Sequence, residues 1–178
     1  MEQDAAGGST LPAMKGALRA VFETDHRRLN DLLPRAMGEP DRIDSDVFGE
    51  FRGLLLKHIG MEEKILYLAG RLTLREATPP IFAKLRVDHG ALAALLVPTP
   101  TPAIATDLLS ILVPHGQREE EAGGIYDLCI DAISSELASV LLEETRAFRE
   151  VPLKPYNDDP VVFGHIRRNL DLSRQQWR

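Results

Sequence analysis

The sequence predicts an all-α protein: an up-down-up-down four-helix bundle followed by a helical extension and a C-terminal arm. Three observations predict it. Apolar residues recur at mixed steps of three and four along successive segments. No segment shows the period-two alternation of a half-buried strand or the turn chemistry of a hairpin. The breaks between segments are short and marked by proline, which favours antiparallel neighbours.

The chain of 178 residues divides into residues 1–10, a small and polar leader without apolar period, residues 11–150, the bundle, and residues 151–178, the arm. In helix one, Leu18, Phe22, His26, Leu29 and Leu33 form a single stripe, and Pro34 is expected to end it. Residues 34–45, rich in proline and charge, connect to helix two, where Asp44 or Ser45 caps by accepting from free backbone amides. Helix two carries the longest pattern: Val47, Phe51, Leu54, His58, Met61, Ile65, Leu68 and Leu72 keep the a and d spacing of a heptad repeat.

Helix three is expected to open at Thr78 as cap, with Pro79 and Pro80 in its first turn. Its stripe is Ile81, Leu85, His89, Leu92 and Leu96, widened by Phe82 and Leu95. Helix four begins at Thr101 and Pro102 and presents Ile104, Leu108, Ile111, His115, Glu119, Ala122 and Tyr126, with a kink expected at Pro114. Gly123 and Gly124 each lower helix propensity by about 1 kcal/mol, so residues 125–150 read either as a separate fifth helix or as a bent continuation. The arm holds Ile166, Leu170 and Trp177, and its residues 161–178 carry a net charge of +3, against nine acids and three arginines in residues 115–150. That asymmetry favours docking of the arm on the bundle or on a second copy as a homodimer contact.

Composition narrows the function classes. With 44% hydrophobic and 27% charged residues the chain fits one globular domain. A net charge of -6 argues against nucleic acid as a partner. The longest apolar run, residues 91–97, is far short of the roughly 18 residues a membrane span needs, so a soluble, cytoplasmic protein is expected. The single cysteine, Cys129, excludes an internal disulfide, a cysteine-based zinc site and an iron–sulfur cluster; it reads as a small core residue. No phosphate-binding glycine loop and no nucleophile elbow occurs. Any metal would rest on His, Asp and Glu.

Those residues form a pattern. His26, His58, His89 and His115 sit on the core stripes of four different helices, each about 10 to 14 residues in, or roughly 15 to 21 Å along the axis. In an antiparallel bundle they meet at one level. Glu62 and Glu119 follow His58 and His115 by four residues, a spacing that puts both side chains on one helix face. A carboxylate in an apolar bundle loses several kcal/mol of hydration unless a cation compensates it, and no Lys or Arg lies on these stripes. Metal ions would supply that charge. Two glutamates can bridge two metals while neutral imidazoles fill terminal positions, a nitrogen and oxygen set suited to iron, manganese or zinc rather than calcium.

Two His-x-x-x-Glu pairs alone arise by chance in roughly one such chain in twenty; four histidines on separate stripes at matching depth are far more restrictive. Any one of them taken singly would read as a hydrogen-bonded core histidine. Glu63, Glu120 and Glu121 read as solvent-face charges, with Glu120 the alternative to Glu119 if Pro114 shifts the register. His165 lies outside the bundle.

Asp25-His26, His58-Ile59-Gly60-Met61-Glu62-Glu63, Asp88-His89 and His115-Gly116-Gln117-Arg118-Glu119-Glu120 resemble the hemerythrin-like, or HHE, domains over about residues 12–126. The resemblance implies a four-helix bundle with a carboxylate-bridged non-haem diiron centre that binds dioxygen or nitric oxide. It implies two iron ions per chain with an oxo or hydroxo bridge, His26, His58, His89 and His115 as terminal ligands, and Glu62 and Glu119 as bridges. The oxygen-carrying members have a further histidine where this chain has Ala93, so Glu63, Glu120, Tyr67 or water would complete the set. That departure sets sensing, nitric oxide handling, peroxide chemistry or iron storage beside reversible oxygen carriage as expectations, a binding role more than that of a dedicated enzyme. A ferritin-like diiron oxidase would need Glu-x-x-His on two helices, and only Glu23 with His26 fits. A metal-free helical interaction module, with the Trp177-bearing arm as its contact, is the reading in which His58→Ala or His115→Ala is mild.

Overall fold

The computed structural model describes residues 11–38 and 41–178; the leader lies outside them. Helix α1 (Leu11–Ala36) buries the whole predicted stripe, and Pro34 sits inside its last turn, so the helix ends two residues later than predicted. Between the two cap candidates the structure selects Asp44, whose carboxylate accepts from the Asp46 and Val47 N–H groups at 3.0 and 3.1 Å and starts α2 (Ser45–Met61). Such a cap contributes about 1 kcal/mol.

The heptad reading of helix two holds through Ile65, which is buried, and fails from Leu68 on. A π-helical turn, Glu62–Leu66, follows α2 and leads into α3 (Tyr67–Leu74), and the Tyr67 N–H reaches back five residues to the Glu62 carbonyl. One extra residue in the turn rotates everything after it by about 100°. Leu66 and Tyr67 are therefore fully buried, while Leu68 and Leu72 are 42% and 67% exposed.

Helix α4 (Ile81–Leu95) also starts differently from the prediction. The Thr78 hydroxyl donates to the Arg75 carbonyl, and Pro79 and Pro80 precede the helix, their carbonyls accepting from Phe82 and Ala83. Helix α5 (Pro102–Glu120) is capped by Thr101, which accepts from the Ile104 N–H at 3.2 Å, and runs through Pro114 to its end. Ala122 falls outside it and is exposed.

At the glycine pair the chain breaks. Gly123 has φ +76°, and a Cβ on Gly124 would come within 2.6 Å of the Arg118 carbonyl oxygen, so no other residue fits there without rearrangement. Beyond the break the chain forms a separate pair of helices, α6 (Ile125–Ala132) and α7 (Ser135–Arg146). The arm docks on its own bundle: α8 (Pro160–Gln175) lies along α4 and buries Ile166 and Leu170. Its ion pair is Arg174 with Asp107 at 2.8 Å, not with the acidic residues of segment 115–150.

All regular elements among the described residues are helical, and none is long and apolar enough to cross a membrane. Their buried side chains form two clusters. Along α1 the chain passes from Phe22 in one cluster to Leu29 in the other; α2 returns from Leu55 to Met61, α4 goes from Leu85 to Leu92, and α5 comes back from Ile111 toward Ile125 of α6. At each of these four crossings a buried histidine lies between the clusters. Each fully buried Leu or Phe contributes about 2 kcal/mol, which offsets the cost of placing a polar layer in mid-core.

Candidate metal centre

His26, His58, Glu62, His89, His115 and Glu119 are all buried, each at most 5% exposed, and their inner atoms converge on one another. The imidazole Nε2 atoms pair off, His26 with His58 at 2.9 Å and His89 with His115 at 3.0 Å. Glu62 places Oε1 3.2 Å from His58 and Oε2 3.1 Å from His89. Glu119 places Oε2 3.1 Å from His26 and Oε1 2.9 Å from His115. Each carboxylate thus offers one oxygen to each histidine pair. Two groups result, His26, His58, Glu62 and Glu119, and His89, His115, Glu62 and Glu119, each with ligand atoms within 4.8 Å of one another.

The outer side of each ring explains the inner one. A carboxylate faces every Nδ1: Glu120 at 2.6 Å from His26, Asp25 at 3.4 Å from His58, Glu63 at 2.9 Å from His89, and Asp88 at 3.4 Å from His115. An acceptor there keeps the hydrogen of the neutral imidazole on Nδ1 and leaves Nε2 a bare lone pair facing inward. Neighbouring lone pairs 2.9 to 3.0 Å apart, beside two ionised carboxylates, repel unless a cation lies among them. In addition Glu62 Oε2 and Glu119 Oε2 are buried without a hydrogen bond, although a histidine nitrogen lies 3.1 Å from each. Buried polar atoms of this kind are rare unless an ion or water takes them up. The donor set therefore fits a pair of metal ions.

Without a metal, protons take the place of the cations. Burial works against charge on His26 and His89, but the Glu119, Glu120, Glu62 and Glu63 carboxylates outweigh it and raise both to about 10. Burial and the Glu62 charge would raise Glu119, yet His115 and His26 bring it down to about 2.

Two tyrosines complete the layer. Tyr67 donates to Glu119 Oε1 and Tyr126 to Glu62 Oε1, the latter at 2.6 Å; burial and the two carboxylates push both phenols well above 10, so they stay protonated donors. Tyr67 stacks on His89 and Tyr126 on His26, at interplanar angles of 12° and 18°. Tyr67, Asp25, Asp88 and Tyr126 thus join the site, and Glu63 and Glu120 act on its outer side instead of as solvent-face charges. A sequence signal for them exists: Asp-His and Glu-Glu recur in both halves, on α1 and the π-helical turn after α2 and again on α4 and α5.

Glu119, not Glu120, points inward. Glu23 pairs with Arg19 at 2.5 Å, so the glutamate of the ferritin-like spacing is outside the cluster. His165 is exposed, and burial pushes the Cys129 thiol up to about 12, leaving it an inert core group. The arm reaches the centre indirectly: Asp88, behind His115, accepts from Ser173 at 2.6 Å, Gln176 at 2.7 Å and Trp177 at 3.0 Å. Among known proteins no family model, no curated protein and no solved structure matches the chain.

Proposed function

We propose that the chain is a hemerythrin-like protein: a four-helix bundle of α1, α2 with α3, α4 and α5, holding a carboxylate-bridged pair of iron ions that takes a small diatomic ligand, O2 or NO, for sensing, storage or detoxification. The observation that carries this reading is the arrangement of Glu62 and Glu119, each giving one oxygen to either histidine pair. Iron held by His26, His58, His89, His115, Glu62 and Glu119 would supply open coordination positions and redox change, which no side chain here offers.

The chain's own residues do the rest. Asp25, Glu63, Asp88 and Glu120 orient the four imidazoles, and such outer partners are worth about 10- to 100-fold in metal affinity. Tyr67 and Tyr126 hold the two bridging carboxylates by their remaining lone pairs. The apolar clusters on either side exclude bulk water. Ala93, one turn beyond His89, offers no ligand atom.

The test is to load the protein anaerobically with ferrous iron and add nitric oxide in steps, following visible absorbance. The reading expects a saturable new band that Glu62→Ala abolishes. An unchanged spectrum at full iron loading contradicts diatomic binding.

A further inference from the structure

Segment 151–157, on its way from α7 to α8, crosses α2 and the end of α4 and walls a half-open cavity of about 510 Å3. That size lies within the range of about 300 to 1,000 Å3 typical of small-molecule sites. Its walls include Leu56, Ala93, Leu96 and Val151, and its one buried charge is Arg52 of α2, only 7% exposed.

Arg52 is poorly matched by the protein. Its Nη1 donates to the Lys154 carbonyl at 2.9 Å and its guanidinium lies 4.5 Å from the centre of the Tyr156 ring. Nε is buried and has no hydrogen-bond partner, and among the described residues no carboxylate pairs with the group. A guanidinium does not lose its charge on burial, so a carbonyl and a ring leave it electrostatically incomplete. Lys154, exposed at the rim, adds to the positive field.

We propose that this cavity binds an aliphatic monocarboxylate, its head on Arg52 and its tail against Leu56, Ala93, Leu96 and Val151. A planar carboxylate suits the guanidinium fork. A phosphate dianion does not suit the cavity, because no second buried cation lines it. The site is separate from the six inner residues of the polar layer and stands whether or not they hold iron.

Octanoate is titrated into the full chain by calorimetry, with octanol and octylamine as comparisons, in iron-loaded and in chelated protein. The expected result is saturable binding of one octanoate per chain, equal in both forms, with octanol and octylamine weaker by about tenfold or more. Arg52→Met should weaken octanoate by a similar factor, and Ala93→Leu, which fills the wall and leaves the guanidinium in the sequence, should abolish binding. If Arg52→Met does not fold, the octanol comparison and Ala93→Leu decide. Absence of binding, equal binding of octanol, octanoate binding unchanged in either variant, or binding only to the iron-loaded form overturns the proposal.

Discussion

At the residue scale the unusual quantity is charge held away from bulk solvent. Glu62 and Glu119 have no exposed surface, and six inner groups share one buried layer. Because each glutamate serves both histidine pairs while each histidine serves one, substitutions should separate. Glu62→Ala should lose both metals, and His115→Ala should lose chiefly one, read as metal per chain by elemental mass spectrometry. Equal losses in the two variants would argue against bridging. The same residues set a pH dependence for the chelated protein. His26 and His89 are raised in the fold from 6.5 to about 10, so the folded state binds their protons more tightly than the unfolded chain does. Their contribution is complete below 6.5 and is lost as pH rises through about 10. The melting temperature of the chelated protein should fall across that range, whereas the loaded protein, in which metal replaces the protons, should not follow it. Parallel melting curves for the two forms would contradict this.

At the element scale the π-helical turn decides which face of the second helix meets the core. The heptad spacing runs straight through Met61 because Leu68 and Leu72 continue it, and no proline or glycine within residues 62–66 marks the change. The cause is tertiary: Glu62 and, five residues on, Tyr67 must both face the polar layer, which a regular α-helix cannot arrange. Leu72→Lys should therefore leave the melting temperature nearly unchanged, within about 0.5 kcal/mol in stability. Tyr67→Phe, which leaves Glu119 Oε1 without its phenol donor, should cost about 1 to 3 kcal/mol and lower metal retention. A strongly destabilised Leu72→Lys would restore the unbroken heptad. The other element-scale departures are small and local. Thr78 was a plausible cap by type, but two prolines separate it from the first helical turn at Ile81.

At the scale of the whole molecule the clustering of the six residues was legible because they are periodic. Four histidines and two glutamates recur at helical spacing, and the antiparallel course of the helices brings equal depths together, so His26, His58, Glu62, His89, His115 and Glu119 could be named from sequence alone. The supporting groups were harder to read. Asp25 and Asp88 precede their helices' histidines by one residue and serve histidines of the neighbouring helices, and Tyr126 arrives from beyond the glycine break on α6. The arm's place was legible only as a docking surface; charge favoured the acidic segment, but burial of Ile166 and Leu170 and hydrogen bonds from Ser173, Gln176 and Trp177 to Asp88 put it on α4. These long-range choices depend on shape, which a one-dimensional pattern does not carry.

The central claim is that the polar layer is a two-metal site. Its most direct test is metal per chain, by elemental mass spectrometry, on protein produced with ample iron and isolated without chelator. Two iron atoms per chain is the expected result, one for each histidine pair. No metal as isolated, and none taken up from ferrous iron under anaerobic conditions, would contradict the claim and leave the layer a proton-compensated core.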